Sequence, residues 1–515
     1  MFNIKNNPFS DLQSLEKLTD SEIITPFEVV KKMVELLPEE VFTNLNNRFI
    51  DVSTKSGIYL KYIFFNLLHK LPNIQLSKNN NQLDYELDED YDFTNLDDKK
   101  KFILRYMIYG IATSELSFLT SKRTLYENIN ENEDSEKNGK ILSKPIFKNW
   151  EGNIIYKKLN NEEYWFLETD IETINKELTK NIILKKDKEM KFNVIIGNPP
   201  YQINNGGGKG ASADPIYQKF MEKAIEMDAK YISMITPSRW FSGNKPEFIK
   251  FRKYIKNSKI NFSKIYDYKN SKECFSNVVI DGGVNFFLII NNKTMSNTRF
   301  VKMENGIETQ NQSRKLFEDD LDCILRDNKS VSIIQKVQIE DGNSFSSIVS
   351  SQDPFGFDKR IKGTKKRQKI EKFEKFEKGM VKYLDRRDKE FYINKNQINK
   401  NKDKITNYKI VIEKAIKKKL FPILLGKNEV CSETFLCCLE ENKTKAINIQ
   451  KYMNTNFFNF LFYSKKLSHN SSKLDFNFIP ILDMNEEWTD TKLYKRYNLT
   501  KEEISYIELS IEELV

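Results

Sequence analysis

The stretch Phe192-Asn193-Val194-Ile195-Ile196-Gly197-Asn198-Pro199-Pro200-Tyr201 reads as a short buried-type strand that delivers an Asn-Pro-Pro-Tyr tetrapeptide at its carboxyl end. The tetrapeptide suits a planar exocyclic amine, whose lone pair is delocalised and poorly directed at an incoming electrophile. The Asn198 side-chain carbonyl and the Pro199 main-chain carbonyl can both accept hydrogen bonds, drawing such a nitrogen towards sp³ geometry. Pro199 and Pro200 fix φ and stiffen the turn, and Tyr201 offers a face on which a base taken out of its helix can stack. A strand running into an ordinary Pro-rich turn is the plainer reading. Four specified residues directly after the strand weigh against it. No titrating base is required, in keeping with the presence of only two histidines, His69 and His469.

Upstream, Thr25-Pro26-Phe27-Glu28 predicts a helix start, with Thr25 as N-cap, Pro26 at the first helical position and Glu28 three residues after the cap. Val30, Met33, Val34 and Leu37 then share one face. A strand at Arg48-Phe49-Ile50-Asp51-Val52 breaks into Ser53-Thr54-Lys55-Ser56-Gly57 ahead of a helix from Ile58 to Leu71. Strand, small-residue loop and helix form the architecture of a Rossmann-like site. The loop backbone and the helix amino terminus can hold the carboxylate end of a nucleoside-type ligand, and Gly57 permits close approach. One glycine is not the dinucleotide fingerprint, which needs three. Ile108-Tyr109-Gly110-Ile111-Ala112 predicts a second strand, and Glu115 beyond it can reach ribose hydroxyls or serve as a favourable charge at a helix start.

The run from Asp84 to Asp98 carries eight acidic residues and is expected to be an exposed loop or lid. The polar stretch from about 128 to 190 reads as an insertion. Downstream of the tetrapeptide, Gly206, Gly207, Gly208 and Gly210 predict a mobile loop that closes over substrate. Further strands are expected at Tyr231–Ile235, Lys264–Asp267 and Val284–Ile290, and a polar linker over 293–315.

At 515 residues, with 39% hydrophobic content, the chain is long enough for two or three domains with real cores. There is no apolar stretch of membrane-spanning length and no signal-peptide pattern, so the expected location is cytoplasmic. Five cysteines without a Cys-x-x-Cys pair support neither a disulfide framework nor a zinc site, and no metal is expected. The net charge of +10 is concentrated: residues 358–420 hold 23 Lys and Arg against 9 Asp and Glu, leaving the remainder slightly acidic. Lys365, Lys366, Arg367, Arg386 and Arg387 lie in that block, interleaved with aromatic residues, as a phosphate-tracking surface requires. A solvated lysine-rich face is an equal alternative for the block alone.

The Thr-Pro-Phe-Glu helix, the Asp-x-x-x-Lys-Ser-Gly loop, Asn-Pro-Pro-Tyr and a long carboxyl-terminal extension together resemble the gamma class of amino-directed DNA methyltransferases. More closely, the chain is similar to the adenine-N6 methylases of bacterial restriction-modification systems. The similarity extends through Pro237-Ser238-Arg239-Trp240-Phe241, Lys272-Glu273-Cys274-Phe275, Asp281-Gly282-Gly283-Val284, Pro354-Phe355-Gly356 and Trp488-Thr489-Asp490. It implies an α/β fold, with a Rossmann-like S-adenosylmethionine-dependent methyltransferase domain at 1–292 and an α+β target-recognition domain at 316–515.

By the same resemblance Asn198, Pro199, Pro200 and Tyr201 are the catalytic tetrapeptide. Thr25, Pro26, Asp51, Ser56 and Gly57 would surround the cofactor, S-adenosylmethionine. Tyr201 and Phe275 would stack on the two faces of a flipped adenine. Many relatives have proline where this chain has Val52, and an acidic residue where it has Ala112, which leaves Glu115 as the ribose candidate. The implied reaction is adenine-N6 methylation of double-stranded DNA, as the modification component of a system whose nuclease is a partner polypeptide. Alternatives are a methylase of RNA or of protein glutamine, which meets the same chemical problem, and a degenerate DNA-specificity subunit.

Overall fold

Parallel strands buried on both faces dominate the amino-terminal part of the protein, as seen in a computed structural model that describes residues 17–19, 22–126, 152–159, 164–202, 214–276, 278–291, 297–318, 321–337, 344–358, 369–386, 389–416, 418–466 and 470–512. The chain divides into two units, residues 1–240 with 250–316 and residues 241–249 with 317–515.

In the first unit a nine-stranded sheet contains β1 (Phe49–Thr54), β2 (Ile108–Ala112), β3 (Ile154–Ile155), β4 (Val194–Gly197), β5 (Tyr231–Pro237), β6 (Phe262–Tyr268), β7 (Val284–Ile290), β8 (Thr298–Glu304) and β9 (Ile307–Arg314). Their spatial order is β9-β8-β6-β7-β5-β4-β1-β2-β3. From β3 to β5 all neighbours are parallel. β7 lies antiparallel between β5 and β6. Every residue of β1, β2 and β4 is buried, which is why these strands read as continuous apolar runs without alternation.

Two helices cover the start of this sheet. α1 (Phe27–Val34) buries Val30, Met33 and Val34 of the predicted stripe together with Val29, while Leu37 is buried beyond the helix end. α2 (Ile58–Lys70) packs against it and against α3 (Glu115–Tyr126). The helix start at residue 25 departs from expectation. Pro26 occupies the cap position, no side chain caps the helix, and the Thr25 hydroxyl is turned to another use described below.

Two further departures are instructive. The 293–315 stretch contains β8 and β9 of the main sheet, not a linker. β9 is an edge strand with six exposed residues of eight, so it has no apolar face to announce it. The acidic run from Asp84 to Asp98 is likewise no free lid. Tyr85, Leu87, Tyr91 and Phe93 are buried, and Tyr85 and Tyr91 pack on Phe102 and Tyr106, while the carboxylates alternate outward.

The second unit is α+β. β10 (Met380–Leu384), β11 (Glu390–Asn394), β12 (Tyr408–Glu413), β13 (Ile423–Leu425), β14 (Glu429–Cys431) and β15 (Phe435–Glu440) form two three-stranded sheets, β11-β10-β14 and β13-β12-β15. Helices α4 (Asn328–Lys336), α5 (Lys443–Asn454), α6 (Asn456–Lys465) and α7 (Lys501–Glu512) enclose a core rich in phenylalanine, with Phe345, Phe457, Phe458, Phe460, Phe462 and Phe476 buried. Lys409 is fully buried in this unit, where its Nζ donates to the carbonyls of Ile405 and Asn407, and burial pushes its pKa down to about 8. No helix among the described residues is long and apolar enough to cross a membrane.

Candidate active site

From β1 the chain moves outward through β2 to β3 on one side, then returns to build β4 and β5 on the other. The carboxyl ends of β1 and β4 therefore flank the point where strand order reverses, the place where open α/β sheets form a crevice for ligand. A partly open cavity of about 210 Å³ lies there, lined by Ile24, Thr25, Asp51, Ser53, Lys55, Ser56, Gly57, Ile58, Tyr59 and Asn198.

The loop that follows β1 reaches α2 through Gly57, which has φ of +76° and caps the helix. A Cβ there would meet the Ser121 backbone of α3 at 3.0 Å, so the left-handed turn and close helix packing both call for glycine. Gly197, at the end of β4, faces β1 more tightly still: a Cβ would lie 2.6 Å from Asp51 Oδ1 and 2.9 Å from Ser53 Oγ. Gly197→Ala is expected to destabilise the fold by about 1–3 kcal/mol through overpacking, and to displace the Asp51 carboxyl. Urea denaturation of the variant checks the first effect, and a wild-type midpoint would refute it.

Asp51 is 2% exposed. Burial raises its pKa to about 7, against the opposing pull of the Ser53 N–H and the Lys55 ammonium. Ser53 N donates to Asp51 Oδ1 at 3.0 Å, while Ser53 Oγ is buried with no hydrogen-bond partner among the described residues.

Asn198 is the first residue beyond β4 and is 2% exposed. Its Nδ2 donates to the Ile23 carbonyl at 3.0 Å and to Thr25 Oγ1 at 3.1 Å. Its Oδ1 is buried and has no partner among the described residues. A buried acceptor left unmade costs roughly 1–3 kcal/mol, so the site presents an oxygen able to accept a hydrogen bond from a ligand N–H. Pro199 and Pro200 are buried behind it. Tyr201 is half-buried and packs on the core cluster that contains Phe275, itself 2% exposed. The Tyr201 ring meets Tyr217 edge-on at 6.3 Å.

Of the sequence-predicted residues, the structure gathers Thr25, Asp51, Ser56, Gly57 and Asn198 around one cavity. Pro26 is exposed beside Thr25, and Glu115 is exposed at the start of α3, outside that lining. Sequence reasoning passed over Ser53, Lys55 and Tyr59. Lys55 Nζ donates to the Ile23 carbonyl at 3.0 Å, and the Tyr59 hydroxyl donates to Thr25 Oγ1 at 3.1 Å. Their signal was position alone, within and just after the loop between β1 and α2.

In the second unit Arg386 is exposed and paired with Glu433 at 3.0 Å. Lys365, Lys366, Arg367 and Arg387, like Gly206, Gly207, Gly208 and Gly210, lie outside the described residues.

A Rossmann-like sheet with a polar cavity at its switch point is an arrangement that methyltransferases share with other ligand-binding α/β proteins. Residues 106–275 match the Eco57I restriction-modification methylase family model. A Mycoplasma pneumoniae (strain ATCC 29342 / M129 / Subtype 1) protein described as an uncharacterized adenine-specific methylase is 29% identical over 344 residues, 59% of this chain and 76% of its own length. A nuclease-deletion mutant of the Type ISP restriction-modification enzyme LlaGI, solved with a DNA substrate mimic, is similar with a TM-score of 0.51 and 10% identity, over 88% of this chain and 53% of that one. The Type IIL restriction-modification enzyme MmeI, solved in complex with DNA, gives a TM-score of 0.46 and 10% identity, over 88% of this chain and 65% of that one. The chain thus spans less than two thirds of either solved enzyme, and the LlaGI likeness bears on fold alone.

Proposed function

We propose that this chain transfers the methyl group of S-adenosylmethionine to adenine N6 in double-stranded DNA after base flipping, as the modification component of a restriction-modification system. The observation that carries the proposal is the buried, unpartnered Asn198 Oδ1 at the rim of the switch-point cavity. A methylase domain needs an acceptor for an amine N–H there, and this is one. The adenine-specific description of the Mycoplasma relative favours adenine over cytosine, which presents an equivalent amine.

The cavity is lined by residues that suit one end of the cofactor. Its donor set fits the amino-acid end: the Asp51 carboxyl for an ammonium, and the loop N–H groups before α2 for a carboxylate. The bound cofactor would supply an electrophilic methyl on a sulfonium. Asn198 Oδ1 and the Pro199 carbonyl accept the two N6 hydrogens and direct the nitrogen lone pair, in a site stiff enough that no reorganisation is needed. Tyr201 stacks on the extruded base. The second unit reads sequence and grips phosphates through its basic block, with Arg386 exchanging Glu433 for a phosphate.

The test is transfer of labelled methyl from S-adenosylmethionine to unmethylated genomic DNA, with modified positions read by single-molecule sequencing. Label at adenine N6 within one short motif is the expected result. Cofactor binding without label on DNA would overturn the DNA substrate, and label at cytosine would overturn the choice of base.

A further inference from the structure

Three chain segments meet at two oxygen atoms. The Ile23 carbonyl accepts from both Asn198 Nδ2 and Lys55 Nζ. Thr25 Oγ1 accepts from both Asn198 Nδ2 and the Tyr59 hydroxyl. Thr25 and Tyr59 are buried, at 3% and 4% exposure. Thr25 was expected to cap α1, yet it makes no cap bond.

A primary amide can sit in two orientations that exchange its oxygen and nitrogen. Only one is useful for accepting an amine N–H, and in isolation the two differ little in shape. Here the flipped amide would set Oδ1 against the Ile23 carbonyl, acceptor against acceptor. It would also lose the bond it donates to Thr25 Oγ1, and could replace it only if the threonine turned its own hydroxyl hydrogen towards the amide. The Tyr59 phenol, which has Met33 Sδ at 3.2 Å as a second acceptor, stays protonated because burial holds it well above its usual range.

We infer that Thr25, held in place by Tyr59, is a positioning residue that fixes the orientation of the Asn198 amide for methyl transfer, an inference that rests on the reading proposed above. The pair of acceptors supplied by residues 23 and 25 holds Nδ2 and so turns Oδ1 away from those two oxygens, leaving it for the substrate. Lys55 ties the same carbonyl to the loop after β1, so the loop that lines the cavity and the amide share one anchor. The hydroxyl of Thr25 therefore acts on the chemical step, beside any contact the residue makes with the cofactor as part of the cavity lining.

The experiment is single-turnover methyl transfer to a duplex carrying the recognition site, at saturating S-adenosylmethionine. It compares the full-length chain with Thr25→Val, Thr25→Ser and Tyr59→Phe, with cofactor Kd measured separately by calorimetry. Thr25→Val is expected to slow transfer roughly 10- to 100-fold with the cofactor saturating, whatever the change in Kd, as small misplacements of a catalytic group do. Thr25→Ser should recover most of the rate, and Tyr59→Phe should show a smaller loss of the same kind. Flipping of the target, followed by 2-aminopurine fluorescence, should match the unsubstituted chain in all three. A normal rate in Thr25→Val, or a loss abolished by higher cofactor concentration, would overturn the positioning role. Should Thr25→Val fail to fold, Tyr59→Phe decides, since its ring touches Asn198 only through Thr25 in this network; an unchanged rate there overturns the inference. An unsubstituted chain that methylates no DNA would instead overturn the methyl-transfer reading itself, and the inference with it.

Discussion

Asn198→Ala is expected to lower methyl transfer at least ~10²- to 10³-fold, the scale of losing one preorganised partner of the reacting group, while leaving the fold intact. Stability should hardly change because two effects oppose. The substitution removes the bonds to Ile23 and Thr25, each worth about 1 kcal/mol net, and also removes a buried orphan acceptor that costs roughly 1–3 kcal/mol. Asn198→Asp should be as inactive and less stable, since its second oxygen would face the Ile23 carbonyl without a donor between them. Labelled-methyl transfer and thermal unfolding, run side by side, check both statements. More than a tenth of the original rate in the alanine variant would exclude the amide as the acceptor.

The second large effect concerns pH. Asp51 keeps its proton in the folded chain up to about pH 7, whereas the unfolded chain releases it near the ordinary carboxylate value of 3.8. Between those values the folded state binds more protons, so stability falls as pH rises through that window and levels off above it. The shift corresponds to a loss on the order of 4 kcal/mol. Asp51→Asn, which cannot ionise, should match the unsubstituted chain near about pH 4 and exceed it at about pH 8. Urea midpoints measured across that range decide it, and parallel curves for the two chains would refute it. Binding of a cationic ligand beside Asp51 runs the other way. The ligand favours the ionised carboxyl, so uptake should tighten as pH rises towards 8 and release a proton, a dependence that Asp51→Asn abolishes.

Much of the frame was legible because local chemistry and tertiary context agree there. The β4 run ends in a turn that only its prolines could make, and the loop from Ser53 to Gly57 joins a buried strand to a helix. Where the two diverge, legibility fails. β9, Ile-Glu-Thr-Gln-Asn-Gln-Ser-Arg, has no apolar stripe because it edges the sheet, so hydrogen bonding to β8 and not burial makes it a strand. In the acidic run, charge masked the buried series Tyr85, Leu87, Tyr91 and Phe93. Thr25 looked like a cap because capping is the commonest use of threonine before a helix. Its actual partners, Asn198 and Tyr59, are 173 and 34 residues away, and no local pattern encodes such distances. Arg386 illustrates the opposite limit: a basic block can be counted, but its pairing with Glu433 cannot.

The nine residues from Phe241 to Ile249 belong with the carboxyl-terminal unit although more of the amino-terminal unit follows them in sequence. Their bonds are made there: Ser242 Oγ donates to the Lys465 carbonyl, Asn244 Nδ2 to Ser472 and Asp475, and Ile324 N to the Phe241 carbonyl. The polypeptide therefore crosses between its units three times, at 240/241, 249/250 and 316/317. A carboxyl-terminal unit joined to the rest of the chain at three points cannot be traded between related proteins at a single junction. Exchange of that unit, by recombination in nature or by design, has to carry the short inner segment along with the tail. A chimera cut only at 316/317 would keep Ser242 and Asn244 from one parent and their partners from the other.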